Sequence, residues 1–319
     1  MHNPFYKYCI FILITAFWSC KNDDITKEEE LIKRDSCVNY IDSLQAVNKE
    51  TSPAPISSLR SGNVAFGTLV YFYNDSLHHQ TAIEISLDSG KTWLEKRCAE
   101  IRKTGAVQAR YKNSTAESAS TKLQFKVYYK RVLIIGNSIT INGPLPEKGW
   151  MGNWGMAASD STKDYVHLLS SNLKALNPEV DIVIRNYAEF ERSYWWYNFN
   201  SLQTLTEFKP DLLIMRIAEN TNKDNLYSFQ AQYARFIKTL IAKSSAKVIC
   251  TNSFWKGLED ADNIIKDVTI KDEYIYCDLS SLRNDPSYRA FKQFSDESVG
   301  SHPSDKGMKA IAELIAKNL

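Results

Sequence analysis

A chain of 319 residues, 44% hydrophobic and 24% charged, has ordinary globular composition and the length for one large or two medium domains. Its 39 lysines and arginines nearly cancel its 37 aspartates and glutamates, and a net charge of +2 provides no broad field to draw in nucleic acid or an anionic membrane surface. Both are excluded as partners on charge.

The first twenty residues differ from the rest. Lys7 precedes an apolar run from Tyr8 to Ser19, too short for the roughly 20 residues of a spanning helix and suited to the core of an export signal. Cys20 closes the run, and Lys21, Asn22, Asp23 and Asp24 follow at once. The segment resembles a bacterial lipoprotein signal, which implies removal of residues 1–19 and acylation of Cys20 as the mature N-terminus. Ser19 is the small residue expected before such a cysteine, whereas Phe17 stands where Leu is usual. The polar run after Cys20 resembles the tether that directs lipoproteins to the cell surface in Bacteroides-like bacteria. The expected location is extracytoplasmic, lipid-anchored at the outer membrane or cell surface; simple secretion and an uncleaved anchor are the other readings.

Residues 20–52 are polar, with Glu28, Glu29, Glu30, Lys33 and Arg34, and carry too few apolar side chains for a core. They read as a tether, punctuated by Pro53 and Pro55. With Cys9 and Cys20 assigned to export, Cys37, Cys98, Cys250 and Cys277 remain. An oxidising compartment permits a bridge, no C-x-x-C spacing points to metal or redox chemistry, and buried free thiols are the default. Cys250 and Cys277 each end a predicted strand, so they are candidate neighbours, bonded or not.

Residues 53–130 have a period of two. Ala82 to Leu87 alternates apolar with polar, Asp88, Ser89 and Gly90 supply a turn, and Leu123 to Tyr128 alternates again. Short strands at this spacing predict a small β-sandwich. The stretch from Ile85 to Trp93, with Val107 to Tyr111 behind it, resembles the Ig-like modules found beside carbohydrate-active enzymes. A spacer role is expected ahead of sugar binding, because no aromatic platform is evident. His78 and His79 read as exposed turn residues.

After Lys130 the pattern changes. Five apolar strand candidates, Val132–Ile135, Ile182–Ile184, Leu212–Ile217, Val248–Cys250 and Tyr274–Cys277, are mostly separated by amphipathic helical segments. One segment aligns Val166, Leu169, Leu173 and Leu176; a second Leu226, Phe229, Tyr233, Ile237 and Leu240; the last Met308, Ile311 and Ile315. Residues 131–319 are therefore predicted to form an α/β domain with a five-stranded parallel sheet covered on both faces. Ligands of such sheets bind beyond the carboxyl ends of the strands.

The first of these strands runs into Gly136, Asn137, Ser138, Ile139 and Thr140. Glycine permits the tight exit, and the turn presents a serine hydroxyl beside outward-pointing N–H groups. Near the other end of the domain, His302 and Pro303 precede the last helix. Serine is a poor nucleophile until a base takes its proton, which gives a Ser/His pair its chemical reason. The two blocks together resemble the SGNH/GDSL hydrolases, with Asn137 where the family carries Asp. The resemblance covers residues 131–319 and implies a flavodoxin-like fold, esterase activity without metal or cofactor, Ser138 as nucleophile and His302 as base.

The resemblance also locates departures. The family carries an Asp three residues before the histidine, and Val299 stands there. Asp296 and Glu297 are the candidate orienters of His302, with a backbone carbonyl, and hence a Ser/His dyad, as the alternative. Arg216, Ile217, Ala218, Glu219 and Asn220 resemble the block G-x-N-D, which implies Asn220 as an oxyanion donor beside the Ser138 N–H. The glycine donor of the family's second block has no counterpart, since Glu191 falls near its position. Trp150, Trp154, Tyr194, Trp195, Trp196 and Trp255 follow the strands at the predicted site end, where they would stack on sugars or pack long loops. The function expected is removal of acetyl or similar acyl groups from a glycan. The alternative is a non-catalytic glycan-binding surface lipoprotein.

Overall fold

The computed structural model describes residues 54–75, 78, 80–112 and 120–319. The export signal, Cys20 and the tether lie outside the described residues.

The first strands are β1 (Ile56–Ser57), β2 (Gly62–Ala65), β3 (Thr68–Tyr73), β4 (Ile83–Ser86), β5 (Leu94–Glu95), β6 (Cys98–Ile101), β7 (Gly105–Tyr111) and β8 (Ser120–Tyr128). They form a three-stranded sheet in the order β1-β3-β6 and a five-stranded sheet in the order β2-β8-β7-β4-β5. Pairing is antiparallel except between β2 and β8. Alternate residues of both sheets, Val70 and Phe72, Ile83 and Ile85, Val107 and Ala109, Phe125 and Val127, are buried in one apolar cluster. The period of two in the sequence reflects this, because a one-residue slip would turn each set outward.

Two sequence readings change here. His78 is held rather than free in its turn: Nδ1 lies 2.7 Å from the buried Asp75 carboxylate, and the ring stacks on Tyr111 at 4.3 Å. His79 is outside the described residues. Cys98 is disulfide-bonded, whereas Cys250 and Cys277 are free, buried thiols, so the partner of Cys98 lies outside the described residues.

The second half contains β9 (Arg131–Gly136), β10 (Asp181–Asn186), β11 (Leu212–Met215), β12 (Lys247–Thr251) and β13 (Ile275–Cys277). All are parallel, in the order β10-β9-β11-β12-β13. The helices are α1 (Tyr165–Leu176), α2 (Ala188–Ser193), α3 (Gln203–Phe208), α4 (Leu226–Leu240), α5 (Glu259–Lys271), α6 (Glu297–Gly300) and α7 (Asp305–Ala316). Val132, Ile134, Leu212 and Ile214 face a core shared with Val166, Leu169 and Leu173 of α1 and Met308, Ile311 and Ile315 of α7. Leu133, Ile135, Leu213 and Met215 face the opposite core, built with Phe229, Tyr233, Ile237 and Leu240 of α4 and Ile265 and Val268 of α5. Burial on both faces is why these strands read as continuous apolar runs.

Two details differ from expectation. Helix α5 was not among the segments read from periodicity, and β11 stops at Met215, leaving Arg216 and Ile217 in the loop. The strand order reverses direction between β9 and β11, which makes the carboxyl ends of these two strands the switch point where such sheets bind ligands. Ser138 follows one and Asn220 the other. Among the described residues no helix is long and apolar enough to cross a membrane.

Candidate active site

The exit from β9 is sterically fixed. A Cβ on Gly136 would lie 1.7 Å from Thr140 Oγ1 and 3.1 Å from the Arg216 carbonyl, so the close approach requires glycine. The chain then folds back, with Thr140 and Ile141 N–H donating to Asn137 O at 2.9 and 3.1 Å. Ser138 stands on this turn. Its carbonyl accepts from Met156 N at 2.8 Å, and its own N–H has no hydrogen bond to the described residues.

Ser138 Oγ lies 2.8 Å from His302 Nε2, although the two are 164 positions apart. His302 sits between α6 and α7, held by hydrogen bonds from Ala290 N to its carbonyl (2.9 Å) and from its N–H to Val299 O (3.0 Å). Nδ1 is 2.8 Å from Ser298 O. A carbonyl only accepts, so Nδ1 carries the hydrogen and Nε2 presents its lone pair to Ser138. Trp255 stands edge-on to the ring at 5.1 Å and donates from Nε1 to Ser301 O at 2.9 Å. His302 is 6% exposed. Burial lowers its pKa from 6.5 to about 4, despite the Ser298 carbonyl and the Glu219 charge, which pull upward.

Neither Asp296 nor Glu297 meets the imidazole, which corrects the sequence expectation. The Asp296 carboxylate caps α6, accepting from Ser298 N at 2.8 Å and Val299 N at 3.2 Å, and Glu297 is exposed. Val299 has no exposed surface and packs with Trp150, Met156, Ala157 and Ala290. An Asp at 299 would bury a charge in that apolar cluster. The ring is oriented by the Ser298 carbonyl.

Beside the pair lies a buried polar network that the sequence reading missed as a unit. Asn137 Nδ2 donates to Glu191 at 3.1 and 3.3 Å and to Glu219 Oε2 at 2.6 Å, while Asn137 Oδ1 accepts from Ile139 N at 3.2 Å and Arg216 Nη1 at 3.0 Å. Arg216 and Glu219 form an ion pair at 2.5 Å with side chains 0% and 1% exposed. Asn220 Nδ2 donates to Glu191 Oε2 at 2.7 Å. Asn220 is thus tied through one carboxylate to the residue preceding Ser138. Burial, and then the charge of Glu219, hold the Glu191 carboxyl above its usual range. The available signal was Arg216, a charged residue directly after four buried apolar ones.

The aromatic residues divide. Trp150 is buried and packs edge-on against Trp154 at 5.5 Å, and the buried Tyr194 donates to Asn222 O at 2.7 Å. These serve packing. Trp195 is half-buried and Trp196 is exposed, while Trp255 is the one that touches His302. Among the described residues no cluster of His, Cys, Asp and Glu is arranged to hold a metal ion. A serine hydroxyl, a neutral imidazole with its tautomer fixed, a free N–H and a nearby primary amide are the parts needed for nucleophilic acyl transfer.

No protein-family model matches the chain, and no curated protein does. Among solved structures it is similar to an α/β hydrolase from the metagenome of Lake Arreo, Spain, at 17% identity over 59% of this chain and 94% of that one, with a TM-score of 0.41. It is also similar to an acetyl xylan esterase from Geobacillus stearothermophilus (15% identity, 59% and 93% covered, TM-score 0.37). A two-domain esterase active on acetylated mannans matches at 15% identity, 59% and 49% covered, TM-score 0.41. At such identity and superposition the similarity carries no functional weight, and the chemistry has to come from the chain's own geometry.

If the ring is buried with no carboxylate on Nδ1, His302 should titrate near pH 4 by NMR of its ring, well below the 6.5 of a free imidazole. Asp296→Asn and Glu297→Gln should leave that titration unchanged. A fall in the ring's pKa in either variant would identify a carboxylate partner.

Proposed function

We propose that this chain is a serine ester hydrolase of SGNH type that removes acetyl or similar acyl groups from a glycan, working with a Ser/His dyad. The observation that carries this reading is the 2.8 Å contact between Ser138 Oγ and His302 Nε2, with Nδ1 committed to a carbonyl. In the first step Ser138 Oγ attacks the ester carbonyl carbon and its proton passes to Nε2. The Ser138 N–H and an Asn220 Nδ2 hydrogen hold the developing oxyanion. His302 then returns the proton to the departing sugar oxygen, leaving an acyl-serine. Water, deprotonated by His302, attacks the acyl carbon, and the carboxylic acid leaves as Ser138 is reprotonated.

Several features favour a glycan ester. The half-buried Trp255 beside His302 and the exposed Trp196 supply flat apolar faces of the kind that stack on sugar rings. The eight preceding strands suit an Ig-like β-sandwich spacer between a tether and the catalytic half. The resemblance of residues 1–24 to a lipoprotein signal, with Cys20 as the acylated residue, supports a location at the outer membrane or cell surface. The disulfide at Cys98 fits an oxidising compartment.

Ser138→Ala should remain folded and lose hydrolysis of an activated acetyl ester by several orders of magnitude. Turnover equal to wild type would remove the assignment, and a wild type that binds acetylated glycan without hydrolysing it would favour the binding-protein alternative. Because a base must be neutral to act, and burial lowers the His302 pKa to about 4, kcat/KM should hold as pH falls through 6.5 and drop only toward pH 4. An acid limb centred at 6.5 would contradict the buried, carbonyl-held ring.

The anchor is tested separately. Metabolic labelling with a fatty acid should tag the wild type and not Cys20→Ala, and equal labelling of both would end the lipoprotein reading.

A further inference from the structure

Glu191 takes no part in the steps above, yet it is a carboxylate with no exposed surface. Such a group is retained at a cost unless its oxygens are used. Both are used, and on the residue assigned to the oxyanion. Oε2 accepts from Asn220 Nδ2 at 2.7 Å, and Oε1 from the Asn220 N–H at 3.4 Å.

The bonds also fix which way Asn220 faces. Arg192 Nη2 donates to Asn220 Oδ1 at 3.4 Å, so the oxygen and nitrogen of the amide have distinct partners. A primary amide carries two Nδ2 hydrogens. One is anchored on Glu191, and the second, in the amide plane and about 120° from the first by sp² geometry, remains to donate. Glu191 is in turn held by Asn137 Nδ2, so the clamp is built on the residue adjoining the nucleophile. Movement of the Ser138 turn and movement of Asn220 are thereby coupled through a single carboxylate.

We infer that Glu191 is the positioning residue of the oxyanion hole, clamping one Nδ2 hydrogen of Asn220 so that the other meets the substrate oxygen. This rests on the esterase reading and adds to it a part for a residue that touches neither substrate nor base. Gln at 191 keeps the shape but turns one of the two acceptor oxygens into a donor, setting it against the amide of Asn137 or of Asn220.

The test is a double-mutant cycle on the full chain with wild type, Glu191→Gln, Asn220→Ala and the double variant. It reads kcat and KM on an activated acetyl ester, labelling of Ser138 by a fluorophosphonate, and thermal unfolding. Each single variant should lose about 10²–10³ in kcat, the worth of one oxyanion donor, with KM within about threefold of wild type. In the Asn220→Ala background Glu191→Gln should cost about tenfold or less, far below its cost in wild type, since its action runs mainly through Asn220 and the remainder is its hold on Asn137. Losses that multiply, or a Glu191→Gln kcat within about threefold of wild type, would overturn the assignment alone. A wild type that the fluorophosphonate does not label at Ser138 would overturn the esterase reading and this assignment with it. A crystal structure of the wild-type phosphonate adduct gives a readout independent of how the variants fold. Asn220 Nδ2 should bond both the phosphoryl oxygen and Glu191, and an Asn220 that leaves Glu191, or does not reach the oxygen, overturns the clamp.

Discussion

The carboxyl end of the parallel sheet depends on the side-chain amide of Asn137. It has no exposed surface, and all of its hydrogen-bonding capacity is used. Its oxygen meets Ile139 N and Arg216; its nitrogen meets Glu191 and Glu219. Glu219 also accepts from Phe254 N at 2.8 Å. One amide therefore joins the segments that follow β9, β10 and β11, and Glu219 extends the link to the one after β12. The charges dictate that it be an amide. Arg216 offsets one of the two carboxylates, and an Asp at 137 would set a third within about 3 Å of both, where like charges at low dielectric repel by several kcal/mol. The amide at position 137 and the presence of Glu191 are two sides of one arrangement.

The histidine end is fixed by different means. Arg289 and Pro303 form an isolated antiparallel bridge, Ser304 N donates to Tyr288 O at 2.9 Å, and the Trp255 indole reaches the Ser301 carbonyl. Main-chain hydrogen bonds thus set the position of the ring, and a carbonyl sets its rotation. Val299 belongs to the apolar cluster beneath this loop. The segment before His302 is accordingly packed around a hydrophobic anchor, Asp296 serves the helix N-terminus and Glu297 is exposed.

What the sequence made legible follows from range. The five parallel strands were readable because burial on both faces leaves unbroken apolar runs, and the alternating strands because one face is buried. Ser138 and His302 were readable because each sits in a short local block. Helix α5 was less conspicuous: Ala261, Ile264, Ile265 and Val268 keep the helical spacing, but they stand among Glu259, Asp260, Asp262, Lys266 and Asp267. The Asn137 network escaped for a different reason. Its members come from three segments, and no local pattern announces that Glu191, Arg216 and Glu219 will share one amide. The tryptophans stayed open between stacking and packing for the converse reason, since composition counts them together while the fold buries Trp150 and leaves Trp196 in solvent.

The two ends of the site are connected energetically. A ring buried beside a carbonyl is a weaker base than free imidazole, and a fall from 6.5 to about 4 corresponds to roughly 3 kcal/mol less drive for taking the serine proton. A carboxylate on Nδ1 would restore much of that, but Nδ1 is committed to the Ser298 carbonyl. On the proposed esterase chemistry, the deficit is met where charge develops on the substrate oxygen. A single preorganised donor there is worth about 3 to 4 kcal/mol, the same order as the loss at the base. That balance gives a physical reason for burying Arg216, Glu219 and Glu191 together behind Asn220. On that proposed reading, rigidity on the oxyanion side offsets a modest base, and the fewer groups the imidazole can lean on, the more the reaction depends on an amide that does not move.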